Sequence, residues 1–235
     1  DEHVYRDALA AQIENARTEV QVDVMFRDFK KSYFMDLIVG AGGLFELKTA
    51  ERIHPRHRAQ VLNYLLLTGL QHGKLFCFHS GGVQQEFLNT TLSLSDRKQF
   101  EVDCGEWKAT DGFGESQRDV IRELLDELGT GLSRELYEEI LVHLLGGRDE
   151  VWGAAGVYQD GVEVSQQKIM RCDDRTALKV TTFPRPSSGE HNNLQRFLES
   201  TALDSIQWIN ISIHHVSFRT LTRLGKRQKD VGQKH

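Results

Sequence analysis

Two carboxylates and a lysine fall on adjacent short apolar runs near residue 40, and this constrains the fold more than any other feature of the chain. Asp36 interrupts the run from Tyr33 to Val39, and Glu46-Leu47-Lys48 follows a Gly-Ala-Gly-Gly turn at residues 40–43. A near-continuous apolar run predicts a central strand covered on both faces. Two such runs joined by a glycine-rich turn predict a hairpin with the two acids on neighbouring strands. The period of two puts Leu44, Glu46 and Lys48 on one face, with Phe45 and Leu47 on the other. Burying carboxylates without partners is expensive. A divalent cation offsets that cost most simply, and an ion pair on a surface strand is the alternative that the spacing also allows.

The flanking pattern extends the hairpin into a layered domain. Tyr5, Leu9 and Ile13 recur at helical spacing and predict a helix over residues 2–17. Val20, Val22, Val24 and Phe26 alternate as a strand does, and a polar turn follows at residues 27–31. A second helix is predicted from about Arg56, with Val61, Leu62, Leu65 and Leu66 on it and Gly69 ending it. Residues 74–78 read as a fourth strand, and Gln84, Gln85 and Glu86 as a solvated strand face. Helix, three strands, helix, strand gives a mixed four-stranded sheet flanked by helices, an α/β architecture.

The second half repeats this order. Tyr137, Lys179, Leu203 and Val216 match Tyr5, Lys48, Leu70 and Val83 at offsets of 131–133. A nearly constant offset over several segments predicts a tandem duplication. The expected organisation is a first domain at residues 1–94 and an acidic linker with a short helix at 95–130. A second domain follows at 131–222 and a basic tail at 223–235, the two domains packing as a pseudo-dimer within one chain.

Of the 235 residues 39% are hydrophobic and 27% charged, as in ordinary globular proteins. No apolar run approaches the ~20 residues of a membrane span. The three cysteines form no C-x-x-C pair, which suggests neither a zinc site nor a disulfide framework, so a cytoplasmic setting is expected. Residues 101–150 hold fourteen acids against five bases, while the last seventeen residues hold six bases and one acid. The acidic stretch repels nucleic acid and the tail attracts it, so global charge decides nothing about such a partner. The chain opens inside a predicted helix, and its natural start is expected upstream.

Asp36 and Glu46, with the Leu47 backbone carbonyl, offer the oxygen ligands that Mg²⁺ or Mn²⁺ takes. Lys48 can orient or deprotonate an attacking water, or offset charge on a phosphate. Glu2 lies one helical turn before Tyr5, and Gln60 and Tyr64 share the face of the second helix. Arg52, Arg56 and Arg58, with His54 and His57, read as a basic loop beside the site, suited to phosphate contacts. The two histidines read as solvated loop residues, His214 and His215 as non-ligands, and the three tryptophans as packing.

Glu2-x-x-Tyr5, Asp36, Glu46-x-Lys48 and Gln60-x-x-x-Tyr64 together resemble the PD-(D/E)xK nuclease superfamily, and within it the GxxExxY proteins. The resemblance covers residues 1–92, and the Gly of the first motif would fall just before Asp1. It implies Glu2, Asp36 and Glu46 as metal ligands and Lys48 as the catalytic lysine of a DNA-cleaving hydrolase. In the second half Gly131, Tyr137 and Lys179 keep the pattern. Arg134 replaces the Glu, Gln167 and Ala177 take the acidic positions, and Asn193 and Phe197 replace Gln60 and Tyr64. That half is expected to hold no metal, as a degenerate copy. A non-catalytic binding or assembly subunit on the same fold, within a larger complex, is the alternative. RNA remains an alternative substrate.

Overall fold

The computed structural model describes residues 1–223, so the tail expected at 223–235 lies outside the described residues apart from Arg223. The first half runs α1 (Glu2–Ala10), β1 (Ala16–Phe26), β2 (Phe29–Val39), β3 (Gly43–Thr49), α2 (Pro55–Thr68), β4 (His72–His79) and β5 (Gly82–Asn89). Next come α3 (Leu94–Arg97), β6 (Glu101–Glu106) and α4 (Glu115–Leu128). The second half runs α5 (Arg134–Leu144), α6 (Arg148–Val151), β7 (Trp152–Gln159), β8 (Val162–Arg171), β9 (Thr176–Thr181), α7 (Ser188–Glu199), β10 (Ser205–Ile211) and β11 (His215–Thr222). Among the described residues no helix is long and apolar enough to cross a membrane.

Two mixed sheets flanked by helices result. The first has the order β1-β2-β3-β4-β5, and only β3 and β4 run parallel. The second has the order β7-β8-β9-β10-β11 with the same directions, extended by β6 alongside β11. Parallel neighbours need a crossover. α2 supplies it between β3 and β4, and α7 between β9 and β10.

Each sheet is larger than the pattern predicts. The polar run with Gln84, Gln85 and Glu86 is an edge strand, β5, paired along its length with β4. Residues 95–130 are no mere linker, because β6 joins the second sheet and α4 covers it with Ile121, Leu124 and Leu125. The helix predicted over 2–17 stops at Ala10 because Ala16, Arg17 and Thr18 pair with Val39, Ile38 and Leu37 of β2. Sheet pairing there overrides helical periodicity. β2 likewise starts at Phe29, which pairs with Phe26, so the expected turn shrinks to Arg27 and Asp28.

Helix ends follow local chemistry. Gly69 caps α2 at φ 72°, the left-handed region open to glycine. Three apolar clusters hold the layers. Ile38, Leu44, Val61, Leu65 and Leu75 pack α2 on the first sheet. Ala177, Leu198, Ile206 and Trp208 pack α7 on the second. The largest cluster joins the halves, with Val24, Phe26 and Phe29 buried among Phe113, Leu124, Tyr137, Ile140 and Val180.

Polar pins reinforce that joint. Arg97, 2% exposed, donates to the carbonyls of Thr130 (2.8 Å) and Leu66 (3.2 Å). Thr130 Oγ1 donates back to the Arg97 carbonyl at 2.9 Å. Asn63 of α2 accepts from the Ser133 amide at 2.9 Å. The Tyr137 hydroxyl donates to the Gly129 carbonyl and accepts from the Leu132 amide.

Candidate active site

Asp36 sits where the β2–β3 ladder opens. The paired register ends at Leu37 with Phe45, and its continuation brings Asp36 opposite Glu46. The Leu47 amide donates to Asp36 Oδ2 at 2.8 Å instead of to a strand carbonyl. The N–H and C=O of a strand residue leave on the same side. The Leu47 carbonyl is therefore also directed toward β2 and Asp36.

Glu46 is 1% exposed. Its Oε1 accepts from Lys48 Nζ at 2.7 Å, while Oε2 is buried with no hydrogen-bond partner. Burial raises the Glu46 carboxyl from its ordinary value to about 7, with the charge of Asp36 adding and Lys48 opposing. Burial also raises Asp36, against the Leu47 amide and Lys48. Burial alone would lower Lys48, but Glu46, Asp36 and Glu2 outweigh it and its pKa is raised. Lys48 is therefore an ammonium, suited to orienting and charge stabilisation.

Glu2 reaches the same place from α1. Its Oε1 accepts from the Thr49 amide at 2.9 Å, and Oε2 lies 3.9 Å from Lys48 Nζ. Gln60 Nε2 donates to the Tyr64 hydroxyl at 2.9 Å on α2. Tyr64 is buried, and its pKa is raised first by burial and then by Glu46. Tyr5 packs α1 on the sheet by stacking on Phe78, with ring centroids 4.0 Å apart.

The basic cluster differs from a free loop. Arg56, His57 and Arg58 belong to α2. His57 is buried, correcting its reading as a solvated residue. Its ring closes a capping box with His54, and burial, then the charges of Arg56 and Lys48, lower its pKa. Arg58 Nε lies 2.8 and 2.9 Å from the Glu86 carboxylate oxygens. Arg52 and Arg56 are exposed.

Sequence reasoning missed Arg6 and Glu19. Arg6 Nη1 pairs with Glu19 Oε1 at 2.6 Å, and its charge opposes the rise of Asp36. Glu19 stands at φ 49° where the β1–β2 register reaches Asp36 and shows no pair. Glu2 and Arg6, four apart on α1, were the available signal.

In the second half Lys179 pairs with Trp208 across β9 and β10, as Lys48 pairs with Cys77. The β8–β9 register places Arg171 opposite Ala177, so Arg171 and not Gln167 takes the position of Asp36. Gln167 lies farther along β8, opposite Ala155.

Among the described residues, no group of three or more His, Cys, Asp or Glu side chains converges as a metal cluster. The donor set nonetheless fits a hard divalent cation. A buried carboxylate oxygen without a donor, beside a second carboxylate and a strand carbonyl, is a demand that such an ion meets.

No curated protein matches the chain. A solved structure titled "Crystal structure of SSO0001" shares 20% identity at a TM-score of 0.34, over 39% of this chain and 50% of that one. The chain thus spans about half the length of that protein. Residues 1–89, which include Glu2, Asp36, Glu46, Lys48, Gln60 and Tyr64, match the sequence model of the PD-(D/E)XK nuclease superfamily.

Proposed function

We propose that the protein is a Mg²⁺- or Mn²⁺-dependent nuclease that hydrolyses phosphodiester bonds in DNA at one site, in the first half. The observation that carries this reading is Glu46. Its carboxylate is buried, lacks a partner on one oxygen, and is held beside Asp36 and Lys48. Glu46, Asp36 and the Leu47 carbonyl would hold the ion, with Glu2 at the end of β3. When bound, the ion would polarise the scissile phosphate and offset its charge.

The chain's own residues have separate tasks. Lys48, kept protonated by its acidic neighbours, orients the attacking water and faces charge building on the phosphate. Tyr64 and Gln60 form a neutral hydrogen-bonding wall beside the acids. Arg52 and Arg56 take flanking phosphates, whereas Arg58 would first have to leave Glu86.

The shared strand order and directions of the two sheets support a tandem duplication, with domains at 1–94 and 131–222 and a second copy stripped of its acids. The match to the superfamily over residues 1–89 supports the nuclease class, and the Glu2-x-x-Tyr5 pair the GxxExxY group within it. We place the protein in the cytoplasm, in keeping with its free thiols.

The close Lys48–Glu46 ion pair favours one rival, a binding or assembly subunit in which those two groups only neutralise each other on β3. A cleavage assay separates the two. With Mg²⁺ or Mn²⁺, wild type is expected to cut single- or double-stranded DNA, and Asp36→Ala and Lys48→Ala to lose at least ~100-fold in rate. No cleavage by wild type, or equal rates for all three, sinks the enzymatic reading.

A further inference from the structure

The second half keeps the lysine of the site and loses the carboxylate beside it on the same strand, and that leaves the lysine without an ion pair. In the first half Lys48 is neutralised by Glu46. In the second, Ala177 stands in that place, and Lys179 makes no hydrogen bond or ion pair among the described residues. Arg134 stands where Glu2 stood. Both cations line one cavity of about 330 Å³ between β9, β10 and α7, together with Thr181, Asn193 and Phe183. Glu190 lines the cavity too and is engaged by the Ser187 cap. Arg134 pairs with Glu135 at 2.9 Å and lies 3.8 Å from Glu138, whose charge also reaches Lys179, so Lys179 is the cation left without an ion pair. A cavity of this size accommodates a nucleotide and no duplex.

Phe183 gives the cavity a second character. It is 37% exposed, yet its backbone is fixed. Its amide donates to Asn210 Oδ1 at 2.9 Å, and its carbonyl accepts from Asn210 Nδ2 at 3.0 Å. Asn210 Oδ1 also accepts from Thr181 Oγ1, which accepts from the Trp208 indole at 2.9 Å. A buried polar network thus fixes the backbone of an exposed aromatic residue at the rim of the pocket that Lys179 lines. Cationic side chains beside an exposed ring are the elements that take a phosphate and stack its base. Arg134 and Thr182 also line a neighbouring groove of about 740 Å³, with Ala59 and Leu62 of α2, Glu135, Arg185 and His214.

We propose that this pocket binds one nucleotide of a single-stranded nucleic acid without cutting it, Lys179 taking the phosphate, Arg134 joining it on leaving Glu135, and Phe183 taking the base. The assignment rests on the nucleic-acid reading of the first site and gives the second half a part in holding the same strand.

The test is binding of a fluorescent single strand of about fifteen deoxynucleotides, without divalent metal, followed by anisotropy across a salt series. Lys179→Ala is expected to weaken binding roughly 3- to 10-fold and to flatten the salt slope by about one. Phe183→Ala is expected to weaken it roughly tenfold with the salt slope unchanged. Lys179→Arg is expected to bind as wild type, which separates charge from folding. Wild-type affinity and slope in both alanine variants overturn the proposal, as does wild type that binds no strand at all. Lys179-dependent binding by a protein that cuts no DNA supports the pocket and sinks only the nuclease reading. Cleavage with Lys179-independent binding does the reverse.

Discussion

Glu46→Gln is expected to melt roughly 3–6 °C above the wild type at pH 8, a gain of about 1–2 kcal/mol, while cleaving DNA at least ~100-fold more slowly. The stability gain follows from the raised carboxyl. Its folded pKa of about 7 lies above its ordinary value of 4.5, so the folded state prefers the protonated form. Glu46 therefore costs stability as pH rises from 4.5 toward 7, and the cost is complete above that. A glutamine of the same shape has no such charge, so the gain is full at pH 8 and vanishes below pH 4.5. The shift is already net of the Lys48 attraction, and the expected gain falls short of it because the glutamine amide brings N–H donors into a site that offers them few acceptors. Thermal melts at pH 8 and pH 4, beside a cleavage assay, decide the matter. A variant that melts lower at pH 8 and still cuts would make Glu46 a structural partner of Lys48 and nothing more.

Arg97→Ala is expected to remove about 2–4 kcal/mol of folding stability, read from the denaturant midpoint. Arg97 is almost fully buried and ties the end of α2 to the segment before α5 through the carbonyls of Leu66 and Thr130. Truncation strands both carbonyls and leaves a cavity the size of the side chain. Arg97→Met fills that volume but donates nothing, so it should recover only part of the loss. A change below about 1 kcal/mol in the alanine variant would mean that water reaches both carbonyls and that the joint between the halves lies in its apolar contacts alone.

The central elements were legible in the sequence because their signals are local. The apolar run around Asp36, the glycine turn, the Glu46-x-Lys48 alternation and the Gly69 cap each need only a few residues to be read. They place β2, β3 and α2, and with them the acids, the lysine, Gln60 and Tyr64. The misreadings have non-local causes. β6 is an acidic stretch whose Val102 matters only when β11 lies beside it. Ala16 and Arg17 fall within the predicted helix and are drawn into a sheet by Val39 and Ile38. His57 looks like one of several loop cations until its capping contact turns the ring inward. A fixed offset along the chain aligned Gln167 with Asp36, but strand pairing assigns that position to Arg171. Asp36 precedes Glu46 by ten residues and Arg171 precedes Ala177 by six, because β2 runs on to Val39 whereas β8 ends at Arg171, a shortening that a linear count cannot detect.

Val24, Phe26 and Phe29 leave water only by entering the interior of the other half. The acid-bearing half is therefore not a portable module. Separated from its neighbour, it would present three large apolar side chains to solvent and lose the burial that fixes the far ends of β1 and β2. A substitution at Phe218 or Val180, in the half that lacks Asp36 and Glu46, would lower the amount of competent protein without touching its chemistry. Under the duplication proposed above, retention of the second half needs no catalytic explanation, because deleting it would dismantle the first.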